Sequence, residues 1–449
     1  MSIEMNEASR SCGLSPEQRA AMAAWGGSAS AHHAVHAISV VIGDEVTLAQ
    51  LEVALRIALR EHTILRFCIR HIPGFRSLRL VEADQERQVK ILRLEGEADV
   101  ADFLRAPLEL QRGELLRVAV VDDSDHSKKL VVAMSAIAAD RGSLTTFVDS
   151  VAAALKNDSP TEDTFQYQQY MEWRQELDAD ASGSVAPAYW TGYLQDKQSW
   201  ARPKLVYRAA GDHVPSLRRI RVSRNVDRAI VLPLAKAAAS GALSAEIHLQ
   251  TVWWLLLARL CGFQAFAGGW QHDCRADYEI MRGAVGVFDK VLPVVVNGRG
   301  DEPFSLWLSR MASRAHAHID AQEQCPIESL SEGHHLAVGF ACDLPRSANV
   351  PGWKVEQLSG PMPFRASAVH WVRTRQVDYG ASCESLALFA PVTGSVACAV
   401  RIAAERGPSA SGQRGVRVVA HRHRTCAGSA FRLERAHCRL WKRDGRSAH

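Results

Sequence analysis

Hydrophobic positions are most informative between residues 130 and 155, LVVAMSAIAADRGSLTTFVDSVAAAL. Residues 130–137 form a short apolar run rich in Val and Ala, the pattern of a buried strand. Leu144, Phe147, Val148, Val151 and Leu155 then recur at helical spacing. Ser143 stands where an N-cap belongs. The Ala139-Asp140-Arg141-Gly142 stretch between them delivers a carboxylate to a strand-to-helix turn. Such a place can serve chemistry, capping or ion pairing, and the pattern alone favours the structural roles.

The same alternations divide the rest of the chain. Residues 33–42 alternate loosely, as a strand does. After Gly43 and Asp44 an amphipathic helix follows, with Leu48, Leu51, Leu55, Ala58 and Leu59 on one face. Residues 107–139 read as two strands joined by a polar Asp/Ser turn. A turn-rich linker at 157–163 precedes Tyr167, Tyr170 and Trp173, which recur at threes and predict a helix that packs through its aromatic stripe. From about residue 205 a second unit reads strand, helix, loop, long buried helix, strand. From 407 onward no clean period is visible.

The 449 residues are 47% hydrophobic and 23% charged, which predicts an ordinary globular protein of two or three compact units. No apolar run reaches the roughly 18 residues of a membrane helix. The N-terminus lacks the basic flank and apolar core of a secretory signal, so a cytoplasmic protein is expected. Ten scattered cysteines without a Cys-x-x-Cys pair argue against a zinc ribbon, a redox motif or a disulfide framework, and predict mostly buried thiols. The net charge of +4 is an average: residues 406–449 carry +9 and the preceding 405 carry −5. There is no Gly-x-Ser-x-Gly elbow, Walker loop, His-Glu-x-x-His helix or dinucleotide fingerprint. Gly26 and Gly27 read as a turn rather than a modified carrier serine site, and His334 and His335 as a surface turn.

The segment ending in AIAADRGSL resembles the core motif of condensation domains of nonribosomal peptide synthetases, a strand ending in His-His-x-x-x-Asp-Gly before a helix. With Asp140 as the fixed point, the two His positions fall on Ser135 and Ala136, and the Gly position on Arg141. A divergent group with a Leu-Cys-Ala-Asp type sequence is closer. Other segments resemble the family in order and spacing. GLSPEQRAAMAAW matches the first motif, and His62, Leu65 and Arg66 match the Arg-His-Glu-x-Leu-Arg-Thr helix end. Tyr167, Tyr170 and Trp173 match the Tyr-x-x-Tyr-x-x-Trp helix, and Gly286, Phe288, Leu292 and Pro293 match Gly-x-Phe-x-x-x-Leu-Pro. Beyond Val369 the resemblance fails.

The resemblance implies an α/β (α+β) fold of two chloramphenicol-acetyltransferase-like lobes, arranged as a V-shaped pseudo-dimer around a central channel. The expected units are 14–195, an incomplete second lobe at 205–375, and an irregular basic tail at 376–449. It further implies amide-bond formation between a carrier-bound thioester and an amine. The phosphopantetheine arms would belong to partner carrier proteins, with no intrinsic cofactor, no metal and no membrane partner. Ala136 has no group able to do the work of the missing His, and Ser135 is a poor substitute without a base beside it. Asp140 is expected to form a structural ion pair with Arg66 or Arg282. His62 is expected to be structural, and His32, His33 and His36 are too dispersed along a strand edge to act as ligands. A module that docks carriers or partner enzymes without catalysis is the alternative. For the tail, a basic arm binding nucleic acid through phosphates competes with a slipped reading frame near residues 370–380. The slip better explains an abrupt loss of the family pattern, and a nucleic-acid partner is not expected.

Overall fold

The computed structural model describes residues 11–25, 31–42, 45–75, 77–83, 89–122, 128–157, 164–179, 185–195, 219–225, 243–328, 336, 338–343, 354–359, 370–375, 385–391, 396–403 and 417–424. The apolar run of the core segment becomes β7 (Lys128–Ser135), which pairs antiparallel with β2 (Val35–Ile42) and with β6 (Leu116–Asp122). β12 (Lys354–Ser359) pairs with the other side of β2, and β5 (Ile91–Leu94) with the far side of β6. The result is a five-stranded sheet in the order β12-β2-β7-β6-β5. β2 is therefore an interior strand.

Both faces of β7 are covered, which explains why it reads as a continuous apolar run. Leu130, Val132 and Met134 share a core with Ile38, Val40 and Ile42 of β2, and with helices α2 (Leu48–Glu61) and α4 (Arg141–Leu155). Val131 and Ala133 point the other way, toward Ala37, Ala119 and Phe103 of α3 (Glu97–Arg105). The α2 stripe is set by a capping box: Thr47 Oγ1 accepts from Gln50 N, and Gln50 Oε1 accepts from Thr47 N. A small sheet of β1 (Ser11–Gly13), β4 (Arg79–Glu82) and β3 (Phe67–Arg70) stands beside this core.

The second sheet runs β10-β9-β11-β13-β14-β8. Its strands are β8 (Arg219–Asn225), β9 (Phe266–Asp273), β10 (Asp289–Val296), β11 (Val338–Asp343), β13 (His370–Arg375) and β14 (Ser385–Pro391). Its core gathers Trp254 and Leu257 of α7 (Ala245–Leu260), Trp307 and Met311 of α8 (Phe304–Asp320), and Trp270, Leu292 and Val294 of β9 and β10. The aromatic stripe of α5 (Tyr167–Ala179) gathers residues of the second unit into the first core. Tyr167 and Tyr170 pack with Phe288, Val287 and Ala284 in the same cluster as the β2/β7 residues. α6 (Val185–Tyr193) places Trp190 in the second core.

In the chain's later part, β14 pairs with both β13 and β8, and β15 (Val396–Ala403) forms an antiparallel pair with β16 (Arg417–Arg424). SLALFAP and VACAVRIA are short, mostly apolar runs of strand length. In addition, β12 lies within 205–375 yet extends the sheet built from 14–195. Gly26, Gly27, the 158–163 part of the linker, His334, His335 and the tail beyond 424 lie outside the described residues. Among the described residues, no helix is long and apolar enough to cross a membrane.

Candidate functional site

The turn after β7 is held from three directions. From the first motif, Ser15 caps α1 (Pro16–Trp25): its Oγ accepts from Gln18 N at 3.1 Å, while Gln18 Oε1 accepts from Ser15 N at 2.8 Å. Gln18 Nε2 is thereby aimed at the turn and donates to Ile137 O at 2.7 Å. From just before β2, Ala34 O accepts from Ala136 N at 2.8 Å. From the second unit, Gly286 O accepts from Asp140 N at 2.9 Å. Within the turn, Ser135 O takes the amides of Ala138 and Ala139.

Asp140, 2% exposed, is the N-cap of α4, whose first residue is Arg141. Ser143, expected as the cap, instead donates to it. Asp140 Oδ1 accepts from Ser143 N at 2.9 Å, Ser143 Oγ at 2.8 Å and Arg275 Nη2 at 2.5 Å. Its Oδ2 accepts from Phe288 N at 2.8 Å and Asp289 N at 3.2 Å. An Asp precedes Ser as cap because its carboxylate satisfies a helix N–H and pairs with a cation in one position.

The pairing expected with Arg66 or Arg282 is corrected by this geometry. Arg66 sits 3.9 Å from Glu82, and Arg282, largely exposed, sits 3.8 Å from Glu279. The partner is Arg275, fully buried in the short helical turn after β9. Its Nη1 also donates to Ser143 Oγ and Ala284 O, and its Nε to Asp273 Oδ1. Burial opposes the charge on Arg275, but the carboxylates of Asp140 and Asp273 outweigh it and raise its pKa above the usual arginine value.

Asp140, Asp273 and Asp289 bring one carboxylate oxygen each within 4.8 Å of one another, and Arg275 is ion-paired with the first two. Burial, then the Asp140 and Asp273 charges, push the pKa of Asp289 well above the usual carboxylate range. Gly142 lets the fork approach, since a Cβ there would collide with the Arg275 guanidinium. Gly286 has a similar reason, a Cβ there colliding with the Tyr167 ring.

At the two His positions of the motif stand a methyl and an unpartnered hydroxyl. Ala136 is 2% exposed, and Ser135 Oγ is buried without a hydrogen-bond partner. His62 is buried away from the turn, its Nε2 2.9 Å from Ser150 Oγ, and burial lowers its pKa to about 4. The structure thus brings Ser135, Ala136 and Asp140 together and leaves Arg66 and Arg282 outside.

The residues that the sequence pattern did not reveal are Arg275, Ser143 as a bridge to Gly286, and His36 beside the turn. Arg275 is 135 positions from Asp140. The available signal was Asp273 and Arg275 bracketing the end of a strand that opens with the apolar run FAGGW.

The condensation domain model matches residues 10–336, well over half of the chain. The chain belongs to the condensation domain family. A mycosubtilin synthase polypeptide of Bacillus subtilis is 26% identical over 207 residues, which is 44% of this chain and 8% of that protein. Tyrocidine synthase 2 of Brevibacillus parabrevis is 23% identical over 303 residues, 65% of this chain and 8% of that protein. The chain therefore spans less than a tenth of the length of these curated relatives. Among solved structures, the condensation domain from the monacolin K polyketide synthase MokA superposes with a TM-score of 0.72 at 14% identity, covering 85% of this chain and 92% of that one. The X-domain in its complex with OxyB from teicoplanin biosynthesis gives a TM-score of 0.61 at 19% identity, covering 84% and 87%. Set against the motif with Asp140 as the fixed point, this chain has the Asp and carries Ser135 and Ala136 in place of the two imidazoles.

Proposed function

We propose that this condensation domain joins a thioester on one carrier protein to an amine on another within cytoplasmic nonribosomal peptide synthesis. The phosphopantetheine arms belong to those carriers. The observation that carries this reading is the retained turn. Asp140 is tied by both oxygens to the second unit, and Gln18 of the first motif holds the Ile137 carbonyl. That scaffold fixes a strand end and a helix N-terminus relative to each other. Orientation of two tethered reactants is itself a large part of the catalysis of amide formation.

A second reading has its own observation. The methyl of Ala136 cannot accept or donate a proton, which favours a module that docks carriers or a partner enzyme, as the X-domain does with OxyB. The deciding experiment supplies donor- and acceptor-loaded carrier proteins to the unmodified chain and to Ala136→His, and follows product by mass spectrometry. Amide product from the unmodified chain supports condensation. Carrier binding without product from both establishes the docking module instead.

A further inference from the structure

Among the described residues, the buried histidines are His36, His62, His248, His272 and His318. Four have a ring nitrogen matched: His62 with Ser150, His248 with Ser244 O, His272 with Asp277, and His318 with Tyr189 and Pro293 O. His36 differs. It is 7% exposed, and its Nδ1 is sealed from solvent with no hydrogen-bond partner. An unmatched buried polar atom costs about 1–3 kcal/mol, so its retention asks for a reason.

Its position supplies one. In the β2/β7 pair His36 lies opposite Met134, and Val35 opposite Ser135, while Ala136 N bonds to Ala34 O. His36 is thus on the strand next to the one that ends in the missing His positions, one register step from Ser135. The charge of Arg141, the first residue of α4, also reaches it. Burial first, and Arg141 second, lower its pKa to about 3, so the ring is neutral. Such a ring is a poor base at pH 7 and a suitable hydrogen-bond donor, because it offers an N–H without gaining charge. A sealed N–H is costlier than a sealed lone pair, which puts the proton on Nε2.

We propose that His36, from the neighbouring strand, takes over the part of the imidazole absent at position 136, donating its Nε2–H to the carbonyl oxygen of the thioester as that oxygen becomes an oxyanion. This rests on the amide-forming reading above. The amine nitrogen forms the C–N bond, and the carbonyl π pair moves to oxygen against the His36 N–H. Collapse then breaks the C–S bond, and the departing thiolate takes the proton released by the former amine. The ring ends as it began.

The test uses the full chain with loaded carrier proteins and compares unmodified protein, His36→Ala, His36→Gln, Ala136→His, and His36→Ala combined with Ala136→His. Melting is recorded for each. Loss of one oxyanion donor predicts a fall of roughly 10²- to 10³-fold for His36→Ala. Partial recovery is expected in His36→Gln, whose amide donates, and recovery in the combined variant. The rate should show no ionisation between pH 6 and 8. Equal rates for unmodified protein and His36→Ala overturn the proposal and leave the amide-forming reading standing, whereas activity only where Ala136→His is present overturns both. A fall in His36→Ala that follows lost melting and is not recovered in either companion variant also overturns it. No product from any chain removes both.

Discussion

Asp140→Asn tests whether the motif's acid is a joint rather than a reagent. The side chain keeps its size and one carbonyl oxygen, so the cap to Ser143 N survives. Two things are lost. Arg275, fully buried, is left with Asp273 as its remaining charged partner. The new NH2 must also face Phe288 N or Asp289 N, which donate at 2.8 and 3.2 Å to the present Oδ2, so donors meet donors. Breaking a buried pair in this way costs about 3–5 kcal/mol. For a cooperative unit of this size that is a fall in Tm of roughly 6–20 °C. Differential scanning fluorimetry with a urea series reads it, and a cycle with Arg275→Met isolates the pair. The double variant should be less destabilised than the two single effects combined, because no buried charge is then left alone. A variant melting within about 2 °C of the unmodified protein would refute the reasoning, since a satisfied surface acid gives changes of that size.

Gly286→Ala should destabilise strongly and loosen the junction, because its Cβ collides with the ring of Tyr167, whose hydroxyl donates to Val287 O; near-UV circular dichroism and melting both report it. Lys290→Met should be costly, about 3–5 kcal/mol in urea unfolding, because it strands the buried Glu323 now 2.9 Å from Lys290 Nζ. Adding Glu323→Gln should recover part of that loss. His36, His62 and His318 are held neutral, with pKa values near 3, 4 and 3 against an ordinary 6.5. Below pH 6.5 the unfolded chain therefore binds protons that the folded one refuses. Their contribution is full above pH 6.5 and declines as pH falls toward 4; urea midpoints should drop across that window, with a shallower drop in His318→Gln.

The legible part of the fold was what local period encodes. The core strand and α4, the α2 stripe and the α5 aromatics each announce themselves within a dozen residues, and the order of motifs pointed to the family. The site was legible at Asp140 and at the empty His positions, because these are offsets along one segment. Two kinds of information were not. The first is pairing across the chain: Arg66 and Arg282 carry the same charge as Arg275, and only the register of β9 against β10 brings the last to Asp140. The second is which of several plausible groups takes a cap. Ser143 and Asp140 both suit an N-cap, and the choice fell to the residue that could also receive Arg275. Placing His36 needed the β2/β7 register as well, since three histidines within five residues look interchangeable until one of them is set opposite Met134.

The geometry of Asp140 also limits where chemistry can reside. Five donors converge on its two oxygens, from Ser143, Arg275, Phe288 and Asp289, against about four lone-pair directions in a carboxylate. No direction is left for a substrate, and several of those donors would have to be released before the acid could take a proton from one. Asp140 therefore holds the β7 turn to the second unit, and on the proposed amide-forming reading any polar assistance must come from side chains that border the turn. Ser135 has a hydroxyl but no base beside it, and Ala136 has no polar atom. An imidazole on the adjacent strand, kept neutral by burial, is the group in that neighbourhood whose chemistry fits a developing oxyanion.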